Sequence, residues 1–159
     1  MLYEKLLNRY RMSASKVLEI GVAQGYSLRM WNRFFQAECE VKGIDIAEAE
    51  LCDESLDVTY GDSKDASLWT DWNDFDIIID DGDHTLNGQM RTAEVWLPKI
   101  KDTGIYIIED LHNIHPEQLK PVMLKTNKIE WTVDLFDMRE LKNRNDDVMI
   151  VITKDGVRL

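Results

Sequence analysis

The chain has 159 residues, 44% hydrophobic and 31% charged, with three prolines and eight glycines, which excludes disorder, collagen-like repeats and low-complexity architecture and suits one soluble domain over residues 1–159. Asp and Glu number 30 against 19 Lys and Arg, a formal charge of -11, and such a surface repels a phosphate backbone, so nucleic acid is not an expected partner. Cys39 and Cys52 are too few for a disulfide scaffold or an all-thiolate zinc site, no apolar run nears the roughly 18 residues that span a bilayer, and MLYEKLLNRY has no signal-peptide core, so the expected setting is the cytoplasm, away from membranes.

Short apolar runs alternate with amphipathic segments along the chain, the pattern of an α/β domain. Leu2, Leu6, Leu7 and Tyr10 share one face of a helix over residues 2–12, and Lys16-Val17-Leu18-Glu19-Ile20 follows as a buried strand. After Gly25, Leu28, Trp31, Phe34 and Phe35 recur at helical spacing, and residues 40–46 form a second strand. Leu56 to Tyr60 alternates as a third strand, closed by Gly61-Asp62, with a short helix expected over Ala66 to Trp72. Phe75-Asp76-Ile77-Ile78-Ile79-Asp80-Asp81 has the near-continuous β-branched character of a central parallel strand. A helix is expected over Asn87 to Ile100, a fifth strand over Gly104 to Asp110, and a weaker helix between Pro116 and Thr126. Trp131–Phe136 and Val148–Thr153 are joined by too few residues for a crossover, so they pair antiparallel. The expectation is a seven-stranded, mostly parallel sheet in which the last strand is reversed.

In such sheets ligands bind beyond the carboxyl ends of the strands, at the point where the strand order reverses. Glu19-Ile20-Gly21-Val22-Ala23-Gln24-Gly25 runs from strand through a glycine-flanked turn into a helix. Its spacing departs from GxGxxG, and Glu19 disfavours a diphosphate, so a cationic or zwitterionic nucleoside suits it better, a purely structural turn being the alternative. Asp45 lies where an acid commonly accepts hydrogen bonds from ribose hydroxyls, and Asp62 either meets a purine amine or is a turn residue. Trp69 and Trp72 either pack on an adenine or join the core, whereas Trp31, Trp96 and Trp131 sit in apolar, core-like patterns.

A second constellation combines Asp80-Asp81-Gly82-Asp83-His84 with Glu109-Asp110. Adjacent strands lie roughly 4.8 Å apart, so Asp81, Glu109 and Asp110 can gather into one coordination sphere. Clustered carboxylates call for a proton or a cation, and oxygen donors favour Mg²⁺, Mn²⁺ or Ca²⁺; a solvated acidic rim is the alternative. His84, three residues after Asp81, is the best-placed general base, with Asp83 beside it able to orient the ring or simply to carry surface charge. His112 and His115 follow closely enough to line the same cleft.

VLEIGVAQGYS resembles the first motif of class I S-adenosylmethionine-dependent methyltransferases, and GIDI resembles their ribose-binding segment. DIIIDDGDH followed by YIIEDLH resembles a narrower group, the metal-dependent sugar O-methyltransferases and the related proteins named cephalosporin hydroxylases. The resemblance spans about residues 16–113. It implies a doubly wound, Rossmann-like fold, a cofactor loop at Glu19, Gly21 and Gly25, a ribose ligand at Asp45, an adenine contact at Asp62, magnesium ligands at Asp81, Glu109 and Asp110, and His84 as base. The reaction so implied moves the sulfonium methyl of S-adenosylmethionine to a hydroxyl of a sugar, glycan or other small molecule. Mg²⁺ or another hard divalent cation acidifies that hydroxyl, and His84 takes its proton. Asp83 stands where the group more usually has serine. Those enzymes build their acceptor pocket with a long N-terminal extension that this sequence lacks, so acceptor identity does not carry over, and completion of the pocket by a homo-oligomer is an expectation. The competing reading is a catalytically inactive protein that binds the nucleoside or a metal. A nicotinamide-dependent oxidoreductase is remote, since GxGxxG is missing.

Overall fold

The computed structural model describes residues 2–111, 131–142 and 148–154. Strands β1 (Lys16–Ile20), β2 (Glu40–Asp45), β3 (Asp57–Tyr60), β4 (Phe75–Asp80), β5 (Ile100–Ile108), β6 (Trp131–Asp137) and β7 (Val148–Lys154) form one sheet in the order β3-β2-β1-β4-β5-β7-β6. The first five run parallel, and β7 is antiparallel to both β5 and β6. The chain moves outward from β1 to β3, then returns to β4 on the other side of β1. The strand order therefore reverses between β1 and β4, and a crevice opens beyond their carboxyl ends.

Helices α1 (Leu2–Leu7) and α2 (Tyr26–Phe34) cover one face, α3 (Leu86–Trp96) covers the other, and the short α4 (Arg139–Lys142) lies between β6 and β7. The two-residue side-chain period of a strand divides β4 between two cores. Ile77 and Ile79 pack with Leu7, Leu28 and Trp31, while Ile78 packs with Ala93 and Trp96. All six β4 residues are buried, the state of a central parallel strand covered on both sides. Among the described residues no helix is long and apolar enough to cross a membrane.

The expected elements appear with shifted ends. The first helix leaves α geometry at Leu7 and finishes as a 3₁₀ turn over Asn8–Tyr10, where the Tyr10 hydroxyl donates to the Thr103 carbonyl at 2.8 Å. The helix expected over Asn87 to Ile100 stops at Trp96, because Pro98 has no N–H to continue the ladder, and Leu97–Lys99 becomes a 3₁₀ turn. β5 accordingly starts four residues early, at Ile100. Only Ala66–Trp69 of the short helix forms, again as 3₁₀. The helix expected between Pro116 and Thr126, and the site roles considered for His112 and His115, lie outside the described residues.

Asp76 fastens the amino end of the sheet. One of its carboxylate oxygens accepts from Ser15 N (2.8 Å), Ser15 Oγ (2.9 Å), Lys16 N (3.0 Å) and Lys101 Nζ (2.8 Å). Burial by itself would raise its pKa, but Lys101 and the Ser15 and Lys16 donors overcome that and hold it below its ordinary 3.8. The folded chain thus binds this proton less readily than the unfolded chain. The resulting stability is present above about pH 4 and is lost as pH falls through the folded pKa. Asp76→Asn is expected to cost ~2–3 kcal/mol at pH 7 and much less at pH 3, read as urea midpoints at the two pH values. Equal midpoints for variant and parent at pH 7 would contradict this account.

Candidate active site

The switch point between β1 and β4 opens into a cleft of about 510 Å³. Gly21, Asp45, Asp62, Asp81 and His84 all line it, whereas Glu19, Gly25, Glu109 and Asp110 are not among its lining residues. Two backbone hydrogen bonds at the end of β1 shape the floor, Gly21 N to Ile44 O and Asp81 N to Ile20 O, each 2.8 Å. Gly21 has φ +88°, and a Cβ there would lie 2.1 Å from the Asp81 carbonyl oxygen, so only glycine lets the β1 and β4 turns meet. Gly25 precedes α2 and faces Leu56 Cδ1, so its role is packing at the helix entrance.

Asp45 ends β2 and turns back on the glycine loop. Its Oδ2 accepts from Val22 N (2.9 Å) and Ala23 N (2.8 Å), and its Oδ1 from Ala47 N (3.0 Å). A carboxylate has about four lone-pair sites, and with three of them taken one is left for a ligand hydroxyl. Ile46, the next residue, is 69% exposed and also lines the cleft, an apolar surface beside the acid. Asp62 Oδ1 accepts from Lys64 N at 2.9 Å, which fixes its turn while its side chain faces the cleft. Trp69 is not an adenine platform: it is buried to 2% and packs edge-on to Trp72 and tilted against Trp96.

Glu19 is 2% exposed, and its Oε2 has no hydrogen-bond partner among the described residues. Burial pushes its pKa up to about 7, with Ser27 and Trp31 pulling the other way and Asp81 adding to the rise. An orphaned acceptor of this kind is costly unless a proton or a cationic group satisfies it.

The acidic ends of β4 and β5 do come together, though not in the expected combination. Asp81, His84 and Asp110 each present a ligand atom, all within 4.8 Å of one another. Glu109 does not join them. Its side chain accepts a hydrogen bond from the hydroxyl of Tyr3, delivered by α1 and packed edge-on against Trp31. Glu109 and Asp110 follow the last residue of β5, Ile108, so strand alternation no longer fixes where their side chains point. Asp110 turns the chain there with φ +50°, a left-handed strain costing about 1 kcal/mol or more of the kind concentrated at functional sites. Burial pushes Glu109 up to about 7, with Tyr3 opposing the rise and Asp81 and Asp110 adding to it.

His84 Nε2 lies 3.1 Å from Asp81 Oδ1. That hydrogen bond is the largest cause of an imidazole pKa raised to about 9, against the effect of burial and with the charges of Asp81 and Asp110 contributing to the rise. Asp83 does not orient the ring, because its oxygens go to Lys64 Nζ (2.9 Å) and to Thr85 N and Oγ1 (3.0 and 2.8 Å). Lys64 and Tyr3 were missed in the sequence. Neither lies in a motif, and Tyr3 meets its partner across 106 residues.

A divalent cation fits this donor set. Two half-buried carboxylates and an imidazole converge, and the carboxyl groups of Asp80 and Glu109 beside them are pushed up to about 7, Asp80 chiefly by burial. Burial is the largest cause of both shifts, the charge of Asp81 adds to each, and a hard cation would offset that added charge.

The family profile described as "Methyltransferase domain" matches residues 18–111. Demethylmacrocin O-methyltransferase of Streptomyces fradiae is 34% identical over 122 residues, covering 69% of this chain and 30% of its own length. Mycinamicin VI 2''-O-methyltransferase of Micromonospora griseorubida is 36% identical over the same span and coverage. The chain therefore spans under a third of the length of these relatives. MycE methyltransferase, solved with Mg, SAH (S-adenosylhomocysteine) and mycinamycin VI, superposes with a TM-score of 0.62 at 33% identity, over 69% of this chain and 31% of that one. An O-methyltransferase from Bacillus cereus in complex with SAH shares the fold at a TM-score of 0.71 and 16% identity, over 96% of this chain and 79% of that one.

Proposed function

Because the chain belongs to the class I S-adenosylmethionine-dependent methyltransferases, we propose that it is a Mg²⁺-dependent O-methyltransferase whose acceptor is a hydroxyl of a sugar, glycan or other small molecule. The observation that carries this reading is the convergence of Asp81, His84 and Asp110 at the rim of a cleft already lined by Gly21, Asp45 and Asp62. S-adenosylmethionine lies in that cleft, a ribose hydroxyl donating to the remaining site on Asp45 and its adenine against Ile46 and Asp62. The buried Glu19 and the bare backbone of Gly21 border its cationic methionine end. Asp81 and Asp110 would hold Mg²⁺, with Glu109 as a third ligand if its bond to Tyr3 were broken. When bound, that ion supplies Lewis acidity that lowers the pKa of the acceptor hydroxyl.

The protein's own residues do the rest. The cleft positions the methyl group for in-line attack, and with Asp81 turned to the cation instead of to His84 Nε2, the imidazole loses the partner that holds it charged and receives the acceptor's proton. The leaving group, S-adenosylhomocysteine, is neutral and needs no acid. The reading takes residues 1–159 as one methyltransferase-like domain working in the cytoplasm.

The test is transfer of labelled methyl from S-adenosylmethionine to a panel of glycosylated and catechol-like acceptors, with Mg²⁺ or with EDTA. Transfer is expected with Mg²⁺, to be abolished by EDTA, and to be reduced at least about a hundredfold in Asp81→Asn. Undiminished transfer in EDTA would remove the metal from the reading. SAH binding by calorimetry with no transfer to any acceptor would favour the inactive binding protein instead.

A further inference from the structure

Two loops frame the cleft from strands that are not neighbours. β3 and β4 are separated in the sheet by β2 and β1, which sets their ends roughly 14 Å apart at the usual strand spacing. Lys64, after β3, nevertheless reaches Asp83, after β4, with Nζ 2.9 Å from Oδ2, and both residues line the cleft.

Both ends of this bridge are anchored. On the Lys64 side, two indoles hold the backbone: Trp69 Nε1 donates to the Asp62 carbonyl and Trp96 Nε1 to the Ser63 carbonyl, each at 2.9 Å. On the other side, Asp83 Oδ1 accepts from Thr85 N and Oγ1, and Thr85 Oγ1 accepts from Gly88 N to cap α3. Gly88 is required there, since a Cβ on it would lie 2.1 Å from Asp83 Cγ. Asp83 in turn sits between Asp81 and His84. The ion pair therefore joins the turn that carries Asp62 to the turn that carries the reacting groups.

We infer that Lys64 and Asp83 form a clasp across the cleft, with Lys64 a positioning residue that holds the His84 turn in register with the nucleoside end of the site. This rests on the reading of the cleft as the S-adenosylmethionine site. The two side chains are 29% and 35% exposed, so the pair acts less through raw Coulomb energy than by closing the gap between two loops. The pair also gives Asp83 a function that serine, with no charge, could not perform.

The test uses the full chain carrying Lys64→Met, Asp83→Asn, both together, and Lys64→Arg, with SAH affinity measured by calorimetry in metal-free buffer. Asn keeps an acceptor for Thr85, so the α3 cap survives while the charge facing Lys64 is lost. Each single variant is expected to bind SAH about fivefold more weakly, the double variant no more weakly than either single, and Lys64→Arg like the parent. High salt should bring the parent toward Lys64→Met and leave that variant unchanged. Lys64→Met should also move the His84 imidazole NMR signal, identified by its loss in His84→Ala. Single variants within twofold of the parent, losses that multiply in the double variant, or an unmoved His84 signal would overturn the clasp. Should Asp83→Asn fail to fold, the Met and Arg variants at 64 decide. A parent that binds SAH while its variants match it refutes the clasp alone; a parent that binds no SAH refutes the cofactor reading and the clasp with it.

Discussion

His84→Ala is expected to lower methyl transfer by about 10²–10⁴-fold while leaving SAH affinity within about twofold of the parent. The imidazole lies at the edge of the cleft, 41% exposed, where an acceptor hydroxyl can approach it. No other described histidine lies there, and the carboxylates of Asp81 and Asp110 beside it are assigned to the cation. The same geometry allows a competing role, because His84 presents a ligand atom within 4.8 Å of those of Asp81 and Asp110. Mn²⁺ titration followed by electron paramagnetic resonance separates the two. As a base, His84 can be removed with Mn²⁺ affinity preserved; as a ligand, its removal costs affinity and activity together. Transfer that survives the substitution would end the base assignment.

Gly21→Ala is the substitution expected to do most damage per atom added. It would place a methyl group 2.1 Å from the Asp81 carbonyl oxygen, which is backbone and cannot rotate away, at a φ of +88° that L side chains rarely adopt. The conformational strain costs about 1–2 kcal/mol, and with the forced separation of the β1 and β4 turns the loss is on the order of 4 kcal/mol. For a chain of this size the melting temperature should fall by about 10 °C. SAH binding should fall with it even below the melting transition, since Asp81 and the glycine loop move apart. A variant that melts and binds SAH like the parent would mean that the two turns do not touch.

Both predictions depend on one junction, and the sequence went some way toward it. Alternating apolar runs and helical spacings were enough to mark out seven strands and the antiparallel end, because burial on two faces leaves β-branched runs such as Phe75–Asp80 that few other structures tolerate, whereas the order of the strands came only with the fold. The acids and glycines that close those strands marked the end of the sheet where a ligand sits. Where helices stopped was less legible: the proline at 98 and the long-range bond from Tyr10 to Thr103 ended them early.

Composition and strand pattern thus determined, without coordinates, the class of fold and the rim on which the reactive residues lie. Which carboxylates converge was decided only in three dimensions. Asp110 reaches its neighbours through a left-handed backbone turn, Glu109 is drawn to a tyrosine 106 residues away, and Asp83 is claimed by a lysine on the far side of the cleft. Strand periodicity is local and tells which face a residue occupies. The direction of a polar side chain follows from partners that only the folded chain brings within about 3 Å, and those partners carry no signal in their spacing.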